Sequence, residues 1–256
     1  MPDSISRLEW LGEDAHAGWV ERSFLLHRLP GTVPGVVWAP KSTPPQATVL
    51  LFHGGSGHKR IERHVRMGRW LSSMAGLAVI AVDGPYHGDR VSEPMAPLVY
   101  QQLIVDEGVE AVTARMTADW LEAVSVLAGL GLADDAHVSI CGMSMGARFG
   151  LPTAAPLGMR LQCLVLGKFG IREAELHPGL CAPSLTVAAA RAISAPALYY
   201  VKWDDRIFPR EGQFELFESL SSEDKRLFAR PGPHDGTPPD DEALWQDFIR
   251  LNTQRT

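Results

Sequence analysis

The chain is expected to fold as an α/β protein built on a mostly parallel sheet of eight strands with helices on both faces. Two features predict this: short strands that are apolar throughout, and segments of helical period between them. Strands apolar on both sides need cover on both sides, and the helical crossovers that join parallel strands supply it. A third feature, an opening third made only of strand-like runs, places antiparallel strands at one edge.

The elements follow in order. "WVERSFLLHR" alternates partly between apolar and polar residues and reads as the first strand, "TVPGVVWAP" as the second, and "ATVLLF", ending at His53, as the third. The short Pro-rich piece "APKSTPPQ" between the last two is a loop. Ile61, Val65, Gly68, Leu71 and Ala75 recur at helical spacing before a short buried strand, "LAVIAVD". Val112, Met116, Trp120, Val124 and Leu127 mark one face of a longer helix, and "AHVSICGMS" is the fifth strand. A helix starts near Met145, and "LQCLVLGK" is the sixth strand. The stretch from Phe169 to Ser194 is mixed, and "APALYYVKWDD" is the seventh strand. A helix follows Pro209, "KRLFARPG" is the eighth strand, and Leu244, Trp245, Phe248 and Ile249 close the chain as an amphipathic helix.

With 256 residues, 45% of them hydrophobic and 21% charged, the chain can bury a substantial core and is read as one domain over 1–256. A net charge of -6 with scattered basic residues argues against a nucleic-acid partner, which would require a basic face. Three cysteines, Cys141, Cys163 and Cys181, do not suggest a disulfide framework and fit a reducing compartment. "MPDSISRLEWLGEDAHAG" carries no apolar run of leader length, and runs such as "LAVIAV" are too short to span a bilayer. A cytoplasmic protein without a membrane partner is therefore expected.

In open parallel sheets, function gathers at the carboxyl ends of the strands. The residues there are "HGGSG", "DGPYHGDR", "GMSMG", "WDDRIFP" and "GPHDG". Gly142-x-Ser144-x-Gly146 stands between a strand and a helix. That pattern alone arises by chance in roughly one chain of this size in ten, so its context decides. A serine in a sharp strand-to-helix turn has a strained backbone and close flanking elements, which small neighbours permit; an ordinary Gly-rich turn is the alternative. The Met145 N–H would then point from the first helical turn at whatever is bonded to Ser144. A serine hydroxyl needs a base. Nine histidines are present, and His234, in a Gly/Pro-rich loop past the last strand, is the one placed to return over the sheet edge. The base needs an acid to fix its tautomer. Asp204 and Asp205 end the seventh strand, and consecutive residues there point opposite ways, so one of the two reaches the histidine.

A nucleophilic serine between strand and helix, then an aspartate, then a histidine, in this chain order, resembles the α/β-hydrolase superfamily. The resemblance covers nearly the whole chain, with Ser144 after the fifth strand, the acid after the seventh and His234 after the eighth. In related hydrolases the acid commonly stands four residues before a proline, which points to Asp205 with Pro209 rather than Asp204. Within the superfamily the chain is most similar to compact esterases and dienelactone-hydrolase-like enzymes. Dienelactone hydrolases use cysteine as nucleophile where this chain has Ser144, which favours a serine esterase.

"HGGSGHKR" lacks the spacing of a phosphate loop and the hydroxyl that follows its lysine. His53, His58 and His64 have no cluster of Asp or Cys beside them, so no metal site is expected. The stretch instead resembles the oxyanion loop of the superfamily, with Gly54 or Gly55 donating a backbone N–H alongside Met145. His53 is expected to brace the loop, and replacing Lys59 is expected to change little. His87 and Arg90 are candidates to line the pocket, although a structural role suits them better. Trp203 is expected to pack, and Cys141 to be an inert buried thiol. Apolar residues in 91–105 and 169–192 suggest a small cap.

The expected activity is hydrolysis of a small-molecule carboxylic ester through an acyl-enzyme on Ser144, with no cofactor. Peptidase, perhydrolase, acyltransferase and C–C hydrolase chemistry use the same constellation. A catalytically silent binding protein is a further alternative, disfavoured because serine, acid, base and both oxyanion elements are all present. The sequence leaves the oligomeric state open.

Overall fold

A computed structural model describes residues 7–41 and 43–253. The first six residues of the stretch read for a leader, and Ser42 of the Pro-rich loop, lie outside them. Nine strands form one sheet: β1 (Arg7–Ala15), β2 (Trp19–His27), β3 (Thr32–Pro40), β4 (Thr48–Phe52), β5 (Ala78–Val82), β6 (Val138–Met143), β7 (Leu161–Gly167), β8 (Ala197–Lys202) and β9 (Lys225–Arg230). Their order is β1-β2-β3-β5-β4-β6-β7-β8-β9. The six from β4 to β9 run parallel, and β1, β2 and β3 are antiparallel to their neighbours.

The sheet thus has one strand more than expected. The added strand, β1, is "RLEWLGEDA", exposed at all but one position and paired only with β2. Only Leu8 packs against the core, so the sequence shows little apolar alternation, and the strand is held by backbone pairing together with the Trp10–Phe24 contact and the Glu13–Arg22 pair. A register shift between Trp10 and Gly12 and its charged side chains blunt the free edge.

Burial explains the central strands. Every residue of β4, β5, β6 and β8 is buried. Alternate side chains go to opposite faces: Leu50 and Phe52 enter one core, Val49 and Leu51 the other. Helices α1 (Glu62–Ala75) and α7 (Pro239–Thr253) cover the second face, with Met67, Leu71, Trp245, Phe248 and Ile249 in its core. Helices α2 (Pro97–Glu107), α3 (Val109–Gly129), α4 (Met145–Ala154), α5 (Pro183–Arg191) and α6 (Arg210–Ser219) build on the first. The α3 stripe from Val112 to Leu127 is buried at all five expected positions. The α1 face is rotated from expectation: His64, Met67, Gly68, Leu71, Ser72 and Ala75 are buried, whereas Ile61 precedes the helix and Val65 is only partly covered. The partner sets this face, because α1 lies on the Trp38 indole, and a Cβ at Gly68 would come within 2.5 Å of that ring.

The stretch 91–105 holds most of α2, and 169–192 holds an irregular segment followed by the whole of α5. Both reach the carboxyl end of the sheet, where Tyr100, Ile104, Leu176 and Leu180 face the same cavity as Ser144. Among the described residues no helix is long and apolar enough to cross a membrane.

Candidate active site

β6 ends at Met143 and α4 begins at Met145, so Ser144 alone makes the turn between them. Its backbone lies at φ 60, ψ -123, a conformation that costs a non-glycine residue about 1–3 kcal/mol and persists only where its surroundings enforce it. Enforcement comes from the Ser144 N–H, which donates to Gly167 O at 2.9 Å, and from Ala147 N–H, which donates to Ser144 O at 2.9 Å. The flanking glycines are required by contact. A Cβ on Gly142 would sit 2.5 Å from Gly146 O, and one on Gly146 would sit 2.4 Å from Phe52 O. Both positions meet backbone, which cannot swing aside.

The loop after β9 brings His234 back over the sheet. Its Nε2 lies 3.0 Å from Ser144 Oγ, and its Nδ1 lies 2.7 Å from Asp205 Oδ2. The Asp205 carboxylate is wholly buried, and its other oxygen accepts the N–H groups of Ile207 and Phe208 at 2.9 Å each. With one oxygen held by two backbone donors, the other is fixed in its aim at the imidazole. Asp204 faces the opposite way, is exposed, and accepts the Gly232 N–H at 2.8 Å. The strand expected to run through both aspartates ends at Lys202, so the turn that follows β8, and not strand alternation, separates them, and each anchors the loop differently.

The loop after β4 is held by its carbonyls. His53 Nδ1 lies 2.8 Å from Gly54 O, and His53 Nε2 accepts the Gly84 N–H at 2.8 Å, which fixes the tautomer with the proton on Nδ1. Burial pushes the His53 pKa down to about 4, so the ring is neutral near pH 7 and serves as a brace. Gly57 N–H also donates to Gly54 O, at 3.0 Å. Because the peptide is planar and trans, pinning this carbonyl directs the Gly55 N–H the other way. A Cβ on Gly55 would lie 2.2 Å from Tyr100 Oη and 3.9 Å from Met145 Cβ, so the loop passes close to both.

His87 and Arg90 do not line the cavity. The His87 ring nitrogens lie 2.9 Å from Gly55 O and 2.7 Å from Pro85 O, which ties the loop after β5 to the one after β4. Arg90 donates to Asp83 O at 2.8 Å and pairs with Asp119 at 2.6 Å. Trp203 is half-exposed, lies edge-on to Phe214 beneath Arg210, and does not line the cavity. Cys141 is a free buried thiol that desolvation pushes up to about 12, so it is neutral and unreactive near pH 7. Among the described residues no group of three or more His, Cys, Asp or Glu could hold a metal.

Lys59 has a structural role that its loop sequence does not show. It is buried, with Nζ 2.6 Å from Asp83 and 2.5 Å from Asp89, and its backbone N–H also donates to Asp83 at 2.8 Å. No charge is left to offer a phosphate. The Asp83 carboxylate is fully buried, so Lys59→Ala would strand an anion away from water. We expect that substitution to lower unfolding free energy by about 3–5 kcal/mol in urea titration. A change below about 1 kcal/mol would mean that Asp83 is compensated elsewhere.

A cavity of about 600 Å³ opens between these elements, with Ser144, His234, Gly54, Gly55 and Met145 in its wall. Its lining also includes residues that the sequence reading passes over, namely Arg63, Arg148 and Lys168. Lys168 directly follows β7, so the carboxyl-end rule could have flagged it. Arg63 and Arg148 lie on helices, where sequence shows no sign that they converge. Arg148 pairs with Glu173 at 2.5 Å and donates to Leu180 O at 2.8 Å, tying α4 to the segment before α5.

No protein-family model and no curated protein matches the chain. Solved structures do. A cold-adapted esterase from an Arctic intertidal metagenomic library, in a PEG-bound complex, superposes with a TM-score of 0.80 at 29% identity, over 96% of this chain and 100% of that one. An acetyl xylan esterase from Paenibacillus sp. R4 gives 0.74 at 17% identity, over 97% of this chain and 89% of that one. A putative dienelactone hydrolase from Klebsiella pneumoniae gives 0.67 at 19% identity, over 97% and 100%. The last two identities speak to fold alone. The chain has the α/β-hydrolase fold.

Proposed function

We propose that this α/β-hydrolase-fold protein is a serine esterase that cleaves small-molecule carboxylic esters through an acyl-enzyme on Ser144. The observation that carries the reading is a single imidazole, His234, hydrogen-bonded on one side to a serine in a strained turn and on the other to a buried carboxylate. His234 Nε2 takes the Ser144 proton as Oγ attacks the ester carbonyl, and Asp205 stabilises the imidazolium that results. The tetrahedral oxyanion is met by the N–H of Met145 and that of Gly54 or Gly55. His234 then returns the proton to the departing alcohol. Water repeats the sequence: it gives a proton to His234, attacks the acyl carbon, and releases the acid with Ser144 restored. None of these steps needs a metal or cofactor. Residues 91–105 and 169–192 act as a small apolar cap over the acyl group, as part of one domain with the sheet.

The 29% identical esterase supports ester hydrolysis over other reactions of the same constellation. Labelling of Ser144 by a fluorophosphonate, together with turnover of p-nitrophenyl esters of increasing chain length, tests the reading. An unlabelled, folded protein that turns over none of the esters would rule it out.

The role of the loop after β4 gives a separate expectation. Valine at Gly55 would drive a Cβ to 2.2 Å from the buried Tyr100 Oη, so the phenol or the loop must shift, and a shift of the loop turns its N–H away from the oxyanion. Gly55→Val should lower kcat by roughly 10²–10³ with KM little changed. Undiminished kcat would remove this segment from the transition state.

A further inference from the structure

Two cations in the cavity have no part in the proposed chemistry. Arg63 extends from the first turn of α1 into the cavity lined by Ser144 and His234. The carboxylates that could neutralise it from α1 and α7, Glu62 and Glu242, are both engaged by Arg66. What Arg63 does face is the Trp245 ring, 5.6 Å from the guanidinium carbon to the ring centre. An aromatic face attracts a cation but does not neutralise it. Burial holds the Arg63 pKa below its ordinary value, and the negative charge of nearby Glu242, itself paired with Arg66, opposes that shift without cancelling it.

Lys168 joins the same wall. Its Nζ donates to Gly236 O and Thr237 Oγ1 at 3.0 Å each, which leaves one of its three N–H groups for another acceptor. Both acceptors are neutral. Burial, and after it the positive charges of Arg63 and Lys202, push the Lys168 pKa down to about 8 against the opposing negative charges of Asp205 and Asp235. The third basic residue of the lining, Arg148, is neutralised by Glu173. Three carboxylates also line the cavity: Glu242 is buried and paired with Arg66, and Glu175 and Asp235 are solvent-exposed, where water and salt screen them. Two cations that repel each other across one cavity, each with donors to spare, form a receptor for an anion. A guanidinium fork with a neighbouring ammonium matches the two oxygens of a carboxylate.

We propose that the ester cleaved at Ser144 carries a carboxylate, bound in the cavity by the Arg63 guanidinium and the Lys168 ammonium. The inference rests on the serine-esterase reading above and adds the substrate class to it.

Matched esters that differ only in charge test it. Monomethyl glutarate is compared with the methyl ester of glutaramic acid, which places the charge on the acyl half. 3-Acetoxypropanoate is compared with 3-acetoxypropanamide, which places it on the alcohol half. Hydrolysis is followed in a pH-stat. In at least one pair the carboxylate should be favoured by about 10- to 100-fold in kcat/KM, the worth of a charge-assisted hydrogen bond. Arg63→Gln should bring that ratio towards one through KM for the carboxylate ester, and Arg63→Lys should keep part of it. A wild-type ratio near one in both pairs overturns the inference, as does an Arg63→Gln ratio equal to that of the wild type. Should Arg63→Gln fail to fold, the wild-type comparison decides alone. Turnover of p-nitrophenyl acetate separates the two readings. Turnover without charge preference sinks only the substrate class, and no turnover of any ester sinks both.

Discussion

Ser144→Ala is expected to lower kcat on p-nitrophenyl esters by on the order of 10⁶ while the protein stays folded. The size follows from the reaction proposed: without Oγ no acyl-enzyme forms, and His234 and the backbone donors are left to act on water alone. Stability should survive because alanine keeps the Cβ that Ser144 already carries at φ 60. The turn is held by backbone bonds from Ser144 N–H and to Ser144 O, which the substitution does not touch. The lost contact is one hydrogen bond, from Ser144 Oγ to His234 Nε2, at the wall of an open cavity. Circular dichroism and a melting curve check the fold, and fluorophosphonate labelling should vanish with activity. A well-folded, uncontaminated variant that keeps more than a few per cent of wild-type turnover would move the nucleophile elsewhere.

How much of this was legible without coordinates depends on how local each signal is. The strands β4, β5, β6 and β8 announce themselves because both their faces are buried, so every residue is selected for packing. β1 does not, because at an exposed edge strand fixed mainly by backbone pairing only Leu8 packs on the core, too little to mark the side-chain pattern. Gly142, Ser144 and Gly146 are legible together because they are close in sequence and Gly142 packs on Gly146 within one strand-turn-helix unit, although the contact that demands glycine at 146 comes from Phe52 on β4. Nothing local to Lys59 marks it as a buried partner, and only the fold brings Asp83 and Asp89 around it. Arg63 and Lys168 stand about a hundred residues apart on α1 and after β7, and no spacing rule joins them. A cavity shared by side chains from separate elements is a tertiary fact, and the selectivity of an enzyme resides in such facts more than its nucleophile does.

Asp205→Asn is expected to lower kcat/KM by about 10⁴, by analogy with the acid of serine-protease triads, while Asp204→Asn should stay within about tenfold of wild type. At position 205 the amide oxygen can still accept from Ile207 and Phe208, as Oδ1 does at 2.9 Å, so the turn should persist. That choice places the amide NH₂ against His234 Nδ1, where a carboxylate oxygen lies at 2.7 Å. A donor facing Nδ1 forces the ring proton onto Nε2, which then points an N–H at Ser144 Oγ and cannot accept its proton. The imidazole is present but in the wrong tautomer, and the buried charge that would stabilise its cation is gone. At position 204 the side chain is exposed and accepts a single N–H, from Gly232, at 2.8 Å, which an asparagine oxygen can also do. The comparison therefore separates orientation of the base from anchoring of its loop, since both aspartates tether the segment that carries His234. Kinetics on one ester for both variants, with melting temperatures to confirm folding, settles the assignment. A larger loss in Asp204→Asn than in Asp205→Asn would reverse it.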